Sequence, residues 1–196
     1  MLIDMPWRIT NNVRRVLALP FIQLGFALHG IRWGRGWVIF GMPTIQRYRG
    51  STIEFGDALW MRSWHASNPL APNHACVVAT RSRNAIIRVG NNCGFTGVSL
   101  VAMSQIEIGN NVVVGANAVI IDTDFHPLDP TERLRDFNAG AHAPVIVEDD
   151  VFIGMHSLIL KGVRLGKGCT IGAGSVVSRN VPAGAVAAGN PAQVLR

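Results

Sequence analysis

Between Val147 and Pro182 an aliphatic side chain recurs at every sixth position: Val147, Ile153, Ile159, Leu165, Ile171 and Val177. Glycine follows three of them directly (Gly154, Gly166, Gly172), and a small or β-branched residue lies four positions beyond each, from Val151 to Val181. A helix repeats near 3.6 residues and a half-buried strand at 2, so a period of six matches neither alone. It matches a β-solenoid, in which short strands joined by tight corners stack coil on coil and every sixth residue points into a narrow core. Glycine suits the corners, where a side chain would hinder the backbone. The predicted class is all-β.

The same rhythm runs upstream. Val89, Phe95 and Val101 are six apart; one extra residue intervenes before Ile108, Val114 and Ile120 resume the count. Asn110, Asn111 and Asn117 fall at corners, where asparagine tolerates left-handed backbone better than most residues. Residues 37–56 read as a first, irregular coil, with Ile53 and Gly56 its clearest members. The expected layout is a solenoid over 37–190 with two excursions, 57–88 and 122–144, and a tail at 191–196. The first excursion holds Trp60, Trp64, His65, Asn73 and His74. Tryptophan and histidine together either stack on a sugar or pack an irregular corner, and Trp64 is a candidate acceptor contact.

Residues 1–36 do not follow the repeat. Arg8, Arg14 and Arg15 precede the uncharged stretch Val16–Ile31, which falls short of the roughly 20 residues a membrane-crossing helix needs. Pro20 and Gly25 weaken it as one continuous helix, and no convincing signal-peptide cleavage site follows. Two readings are open: a short helix covering the end of the solenoid or packing on a neighbouring subunit, and peripheral attachment to an anionic membrane through arginines and apolar surface.

Composition narrows the partners. The 196 residues are 48% hydrophobic and 15% charged with a formal net charge of +6, which raises the question of nucleic acid. The basic residues form no single block, match no nucleic-acid-binding motif, and come with one tyrosine for stacking, so no nucleic acid partner is expected. An anionic small ligand or a membrane surface fits better. Cys76, Cys93 and Cys169 lack metal spacing and cannot all pair within the chain. Cys169 occupies a small-residue slot of the repeat, and reduced thiols point to the cytosol, at the inner face of the membrane if the N-terminus attaches.

The second interruption, Asp122 to Pro144, is polar, contains three prolines and fits no hexad. A loop of this length between regular blocks is usually functional or disordered. It carries Asp122, Asp124, His126, Asp129 and His142. Histidine takes a proton near neutral pH, and a nearby carboxylate can hold its ring. On spacing alone, His126 is as readily an incidental loop residue.

The hexads, the loop IIDTDFHPLDP and the run from Val151 through IGAGSVVSRNVP to GNPA resemble the hexapeptide-repeat acyltransferases. More narrowly, they are similar to the group of maltose, galactoside and xenobiotic O-acetyltransferases and the sugar O-acetyltransferases of surface-polysaccharide pathways. The resemblance covers residues 86–196 well, 37–88 loosely and the N-terminus hardly at all. It implies a left-handed parallel β-helix that forms a homotrimer, with acetyl-CoA as co-substrate in a groove between subunits. It implies that His126 is the general base that deprotonates an acceptor hydroxyl for direct attack on the thioester, with Asp122 or Asp124 orienting it. Acetyl-CoA contacts then fall on Met155, Ala173 and Ser178-Arg179, and Thr96 lies near the acceptor. Two departures stand out: Phe152 replaces a frequent tryptophan, and Gln193 follows GNPA where arginine is common, with Arg196 three residues on as the replacement charge. The resemblance implies no metal, and the six histidines offer no close pair for zinc. The alternative is a non-catalytic solenoid scaffold in which His126 is idle.

Overall fold

The computed structural model of the protein describes residues 5–196. A helix, α1 (Pro6–Leu28), precedes the solenoid. Coil 1 comprises β1 (Val38–Phe40), β2 (Thr44–Gln46) and β3 (Thr52–Phe55). Coil 2 comprises β4 (Trp60–Arg62), β5 (Val77–Thr80) and β6 (Ile86–Val89), and coil 3 β7 (Gly94–Thr96), β8 (Ser99–Ala102) and β9 (Gln105–Ile108). Coil 4 runs through β10 (Val113–Val114), β11 (Val119–Ile121), the short helix α2 (Pro130–Arg135) and β12 (Val145–Val147). Coil 5 is β13 (Phe152–Ile153), β14 (Leu158–Ile159) and β15 (Arg164–Leu165). Coil 6 is β16 (Thr170–Ile171) and β17 (Val176–Val177), after which β18 (Val186–Gly189) and β19 (Ala192–Val194) end the stack.

Like strands of successive coils pair in parallel and make three sheets. Sheet A holds the first strand of each coil plus β18 and β19, sheet B the second strands, and sheet C the third. Register places apolar residues in vertical columns. Phe95, Val114, Ile153 and Ile171 stack in sheet A, and Val78, Leu100, Ile120, Ile159 and Val177 in sheet B. All of these are at most 2% exposed, and so are the small-residue slots Val151, Ser157, Val163, Cys169 and Ser175. The six-residue rhythm is therefore one inward side chain per strand and one per corner. Ile153 pairs with Ile171 eighteen residues on, three hexads per coil.

Corners are closed by polar side chains. Asn92, Asn111 and Asn117 have φ of 56 to 59°, the left-handed backbone expected of corner asparagines. Between sheets C and A, Asn91, Asn110 and Asp149 form a ladder in which the Asn110 Oδ1 accepts from Asn91 N at 2.9 Å and Asp149 Oδ1 accepts from Asn110 N at 2.7 Å. These bonds satisfy amides that the corners remove from the sheets.

Three expectations are corrected. In β8 the inward residue is Leu100 and not Val101, because Gly97 (φ 53°) turns the chain early and strand alternation puts Val101 outside. The expected excursion over 57–88 contains β4, β5 and β6 in register, so the departure from the coil shrinks to 63–76, between sheets A and B. Finally, α1 runs unbroken for 23 residues. Pro20 lies on its exposed side, and Gly25 lets the helix approach Met42, which a Cβ there would strike. The helix packs on the first coil through Ile22 and Phe26, with Phe26 edge-on to Trp33 and Trp37 at centroid distances of 5.6 and 5.3 Å.

Candidate functional site

The 122–144 excursion leaves the corner between sheets B and C on coil 4 and returns as a short antiparallel ribbon, with Thr123 bridged to His142. Asp124 N donates to Ala141 O at 2.9 Å and Ala143 N to Asp122 O at 2.9 Å. Asp129 caps α2, its Oδ1 accepting from Thr131 N and Glu132 N, which satisfies two otherwise unpaired helix amides. The loop is thus built, and it is built around His126.

The His126 ring packs on Phe137 with centroids 3.9 Å apart, and its Nδ1 lies 2.6 Å from Phe137 O. A carbonyl oxygen only accepts, so Nδ1 carries the proton and Nε2 keeps a lone pair free to take one. Phe125, just before it, is held at φ 63°, a conformation that costs an aromatic residue energy and is typical of sites where geometry is over-determined. Gly140 crosses directly over this peptide: a Cβ there would lie 2.5 Å from both His126 N and Phe125 C. Gly140→Ala should therefore displace the His126 backbone, since a contact of 2.5 Å with main-chain atoms cannot be kept. Turnover should fall about tenfold or more with little change in melting temperature, since misplacement of a reacting group is costly. Steady-state kinetics beside a thermal melt checks this.

The carboxylates expected to orient His126 are used elsewhere. Asp122 is fully buried and accepts four hydrogen bonds at 2.6 to 2.8 Å, from Met103 N, Ser104 N, Ser104 Oγ and Gln105 N. It pins the B–C corner of coil 3. Asp124 Oδ1 lies 2.7 Å from Lys161 Nζ on coil 5, tying the base of the excursion to the coil below. Among the described residues, the histidine is oriented by a backbone carbonyl.

A cleft of about 430 Å³ reaches Phe125, lined also by Tyr48, Arg81, Met103, Thr123 and Asn138. Tyr48, Arg81, Met103 and Thr123 come from the B–C corners of coils 1 to 4, one above another. These residues escaped the sequence reading, although their recurrence at successive corners is a signal once the irregular first coils are in register. Below the excursion the same edge carries Lys161 on coil 5 and Ser178-Arg179 on coil 6, the latter pair exposed. Met155 and Ala173 sit at the A–B corners of coils 5 and 6. There Gly154 presses on Ala173, whose N would be 2.5 Å from a Cβ at Gly154. The backbone N–H groups of Met155 and Ala173 make no hydrogen bond among the described residues. The predicted coenzyme residues therefore flank the lower half of sheet B, and His126 stands on its edge.

Others lie apart. Thr96 is at the A–B corner of coil 3, across sheet B from His126. Trp64 rests on the backbone of Gly41, as packing would have it. Arg196 is beside β18, its carbonyl accepting from Val186 N at 2.8 Å. A cavity of about 1010 Å³ lies between the start of α1 and sheet A and shares no lining residue with the cleft. Within it Arg62 stacks over Phe40, and burial followed by the charge of Arg8 lowers the guanidinium pKa. No group of His, Cys, Asp and Glu able to hold a metal occurs among the described residues.

Residues 144–179 match the family model described as the hexapeptide repeat of succinyl-transferase. The chain resembles the hexapeptide-repeat acyltransferases. Its fold is the left-handed parallel β-helix of that group. The chain is 46% identical over 88 residues to 2,3,4,5-tetrahydropyridine-2,6-dicarboxylate N-acetyltransferase of Staphylococcus aureus, a match covering 45% of this chain and 31% of that protein. It is 30% identical to a galactoside acetyltransferase solved in complex with coenzyme A, over 56% of this chain and 54% of that one, with a TM-score of 0.51. A maltose O-acetyltransferase from Clostridium difficile 630 shares the fold over 100% of this chain and 89% of its own, at 23% identity and a TM-score of 0.55. Matches to curated relatives span between 31% and 47% of their lengths.

Proposed function

We propose that the protein is an acetyl-CoA-dependent acetyltransferase whose acceptor is a hydroxyl of a sugar or glycoconjugate. The observation that carries this is His126, its Nδ1 proton held by Phe137 O at 2.6 Å and its Nε2 left basic, beside a cleft with a tyrosine ring. An alcohol is a poor nucleophile until its proton is removed; Nε2 takes that proton as the oxygen attacks the thioester carbonyl, then returns it to the CoA sulfur as the C–S bond breaks, so that CoA departs as the thiol. The developing oxyanion needs fixed N–H donors; the unpaired amides of Met155 and Ala173 lie across sheet B from His126 of their own chain and are of that kind for a site shared with a neighbouring subunit.

The exposed Arg179 and Ser178 supply a cation and a hydroxyl for the coenzyme's phosphates. Tyr48 offers an amphipathic ring face to a sugar, and Arg81 and Asn138 offer polar contacts. In this reading three subunits assemble with the coenzyme groove between them, as the resemblance implies, and Thr96 faces a neighbour's site. The likeness to an N-acetyltransferase supports a second reading with an amine acceptor, which the same base and thioester would serve. Acceptor-dependent release of the CoA thiol, followed with monosaccharide and amino-sugar panels, tests both. Release with hydroxyl acceptors lacking an amine supports the first, and release with amines alone supports the second.

A further inference from the structure

Helix α1 is apolar on both sides. Its inner face, with Ala18, Ile22 and Phe26, is fixed to coil 1. The outer face carries Ile9, Val13, Val16, Leu17, Phe21, Leu24 and Leu28, every one at least 50% exposed and Leu17, Phe21 and Leu28 at 70% or more. Spacings of three and four put them on a single stripe along a helix about 35 Å long. Soluble proteins rarely leave so continuous an apolar strip bare.

Charge identifies what covers it. Residues 1–49 contain seven arginines and one acidic residue, whereas residues 50–196 hold eleven residues of each sign. The whole net charge of +6 therefore resides in α1 and the coil it packs on. Arg35 is neutralised by Asp57 at 2.7 Å. Arg8, Arg14, Arg32 and Arg49 are exposed and form no ion pair among the described residues. Arg14 stands one turn from Leu17 and two from Phe21, at the border of the stripe. A second copy laid face to face would set these arginines against their own kind.

We infer that the outer face of α1, with its arginine border, is a docking surface for an anionic lipid bilayer. The helix lies in the plane of the headgroups with its leucines and phenylalanine in the acyl boundary. No helix among the described residues is long and apolar enough to cross a membrane, and Ile22 and Phe26 keep the inner face on the solenoid. The inference is independent of the transferase reading, and its test uses no coenzyme.

The full chain is sedimented with phosphatidylcholine vesicles with and without phosphatidylglycerol. Binding is expected only with the anionic lipid and should weaken as salt rises. Leu17→Ser, Phe21→Ser and Leu24→Ser combined should weaken it at least about tenfold, since three large apolar side chains are removed from lipid. Arg14→Gln should weaken it about fivefold. All these side chains point outward, so the thermal melt should be retained. Absent binding, or equal binding to neutral vesicles, overturns the inference. So does a triple-serine variant that keeps vesicle binding but loses its oligomeric state by sedimentation equilibrium, which would assign the stripe to a second copy.

Discussion

His126→Ala should reduce turnover about 100-fold or more, the contribution expected of a positioned general base, while acetyl-CoA affinity and melting temperature stay unchanged. The ring is partly exposed at the edge of the solenoid, so its loss leaves no hole in the core columns. What it removes is one basic nitrogen, Nε2, available because Phe137 O claims the proton on Nδ1. The orienting group is a main-chain carbonyl, so no side-chain substitution at Asp122 or Asp124 should mimic the His126→Ala profile. Unchanged turnover in His126→Ala would remove His126 from the mechanism.

Asp122→Asn should behave in the opposite way, with a loss of about 3 to 5 kcal/mol in stability, the usual effect of breaking a buried charged network. Its two oxygens accept from Met103 N, Ser104 N, Ser104 Oγ and Gln105 N inside a fully buried site. An asparagine amide must turn its NH₂ toward one set of these donors, leaving buried N–H groups facing N–H. Chemical denaturation of both proteins measures the difference. Intact stability with lost turnover would instead return Asp122 to the catalytic apparatus. A double substitution with His126→Ala should give additive losses, since the two residues touch different partners.

The solenoid was legible because its core demands one inward residue per strand, and Val147 to Val177 meet that demand without a break. Val101 keeps the six-residue count yet faces out, because a corner shortened by Gly97 makes Leu100 the core residue; a corner's length leaves no hydrophobic trace. Over 57–88 the coil is masked in the sequence, because Trp60 and Arg62 point outward from β4 and hide its inward residue, Met61. At the site, His126 was visible as a histidine in a long polar loop. Its partner was not, since a carbonyl such as that of Phe137 is common to every residue. Aspartates two and four positions from a histidine invite a catalytic assignment, and only packing shows that Asp122 holds a corner and Asp124 a lysine. Pro20 misled for the converse reason: on an exposed helix side it gives up one hydrogen bond without ending the helix.

Calorimetric titration with acetyl-CoA, alongside free CoA, separates a transferase from a scaffold. Saturable binding near one site per chain is expected, weakened by Arg179→Ala because the phosphates lose a cation. A well-folded protein that binds neither molecule would contradict it.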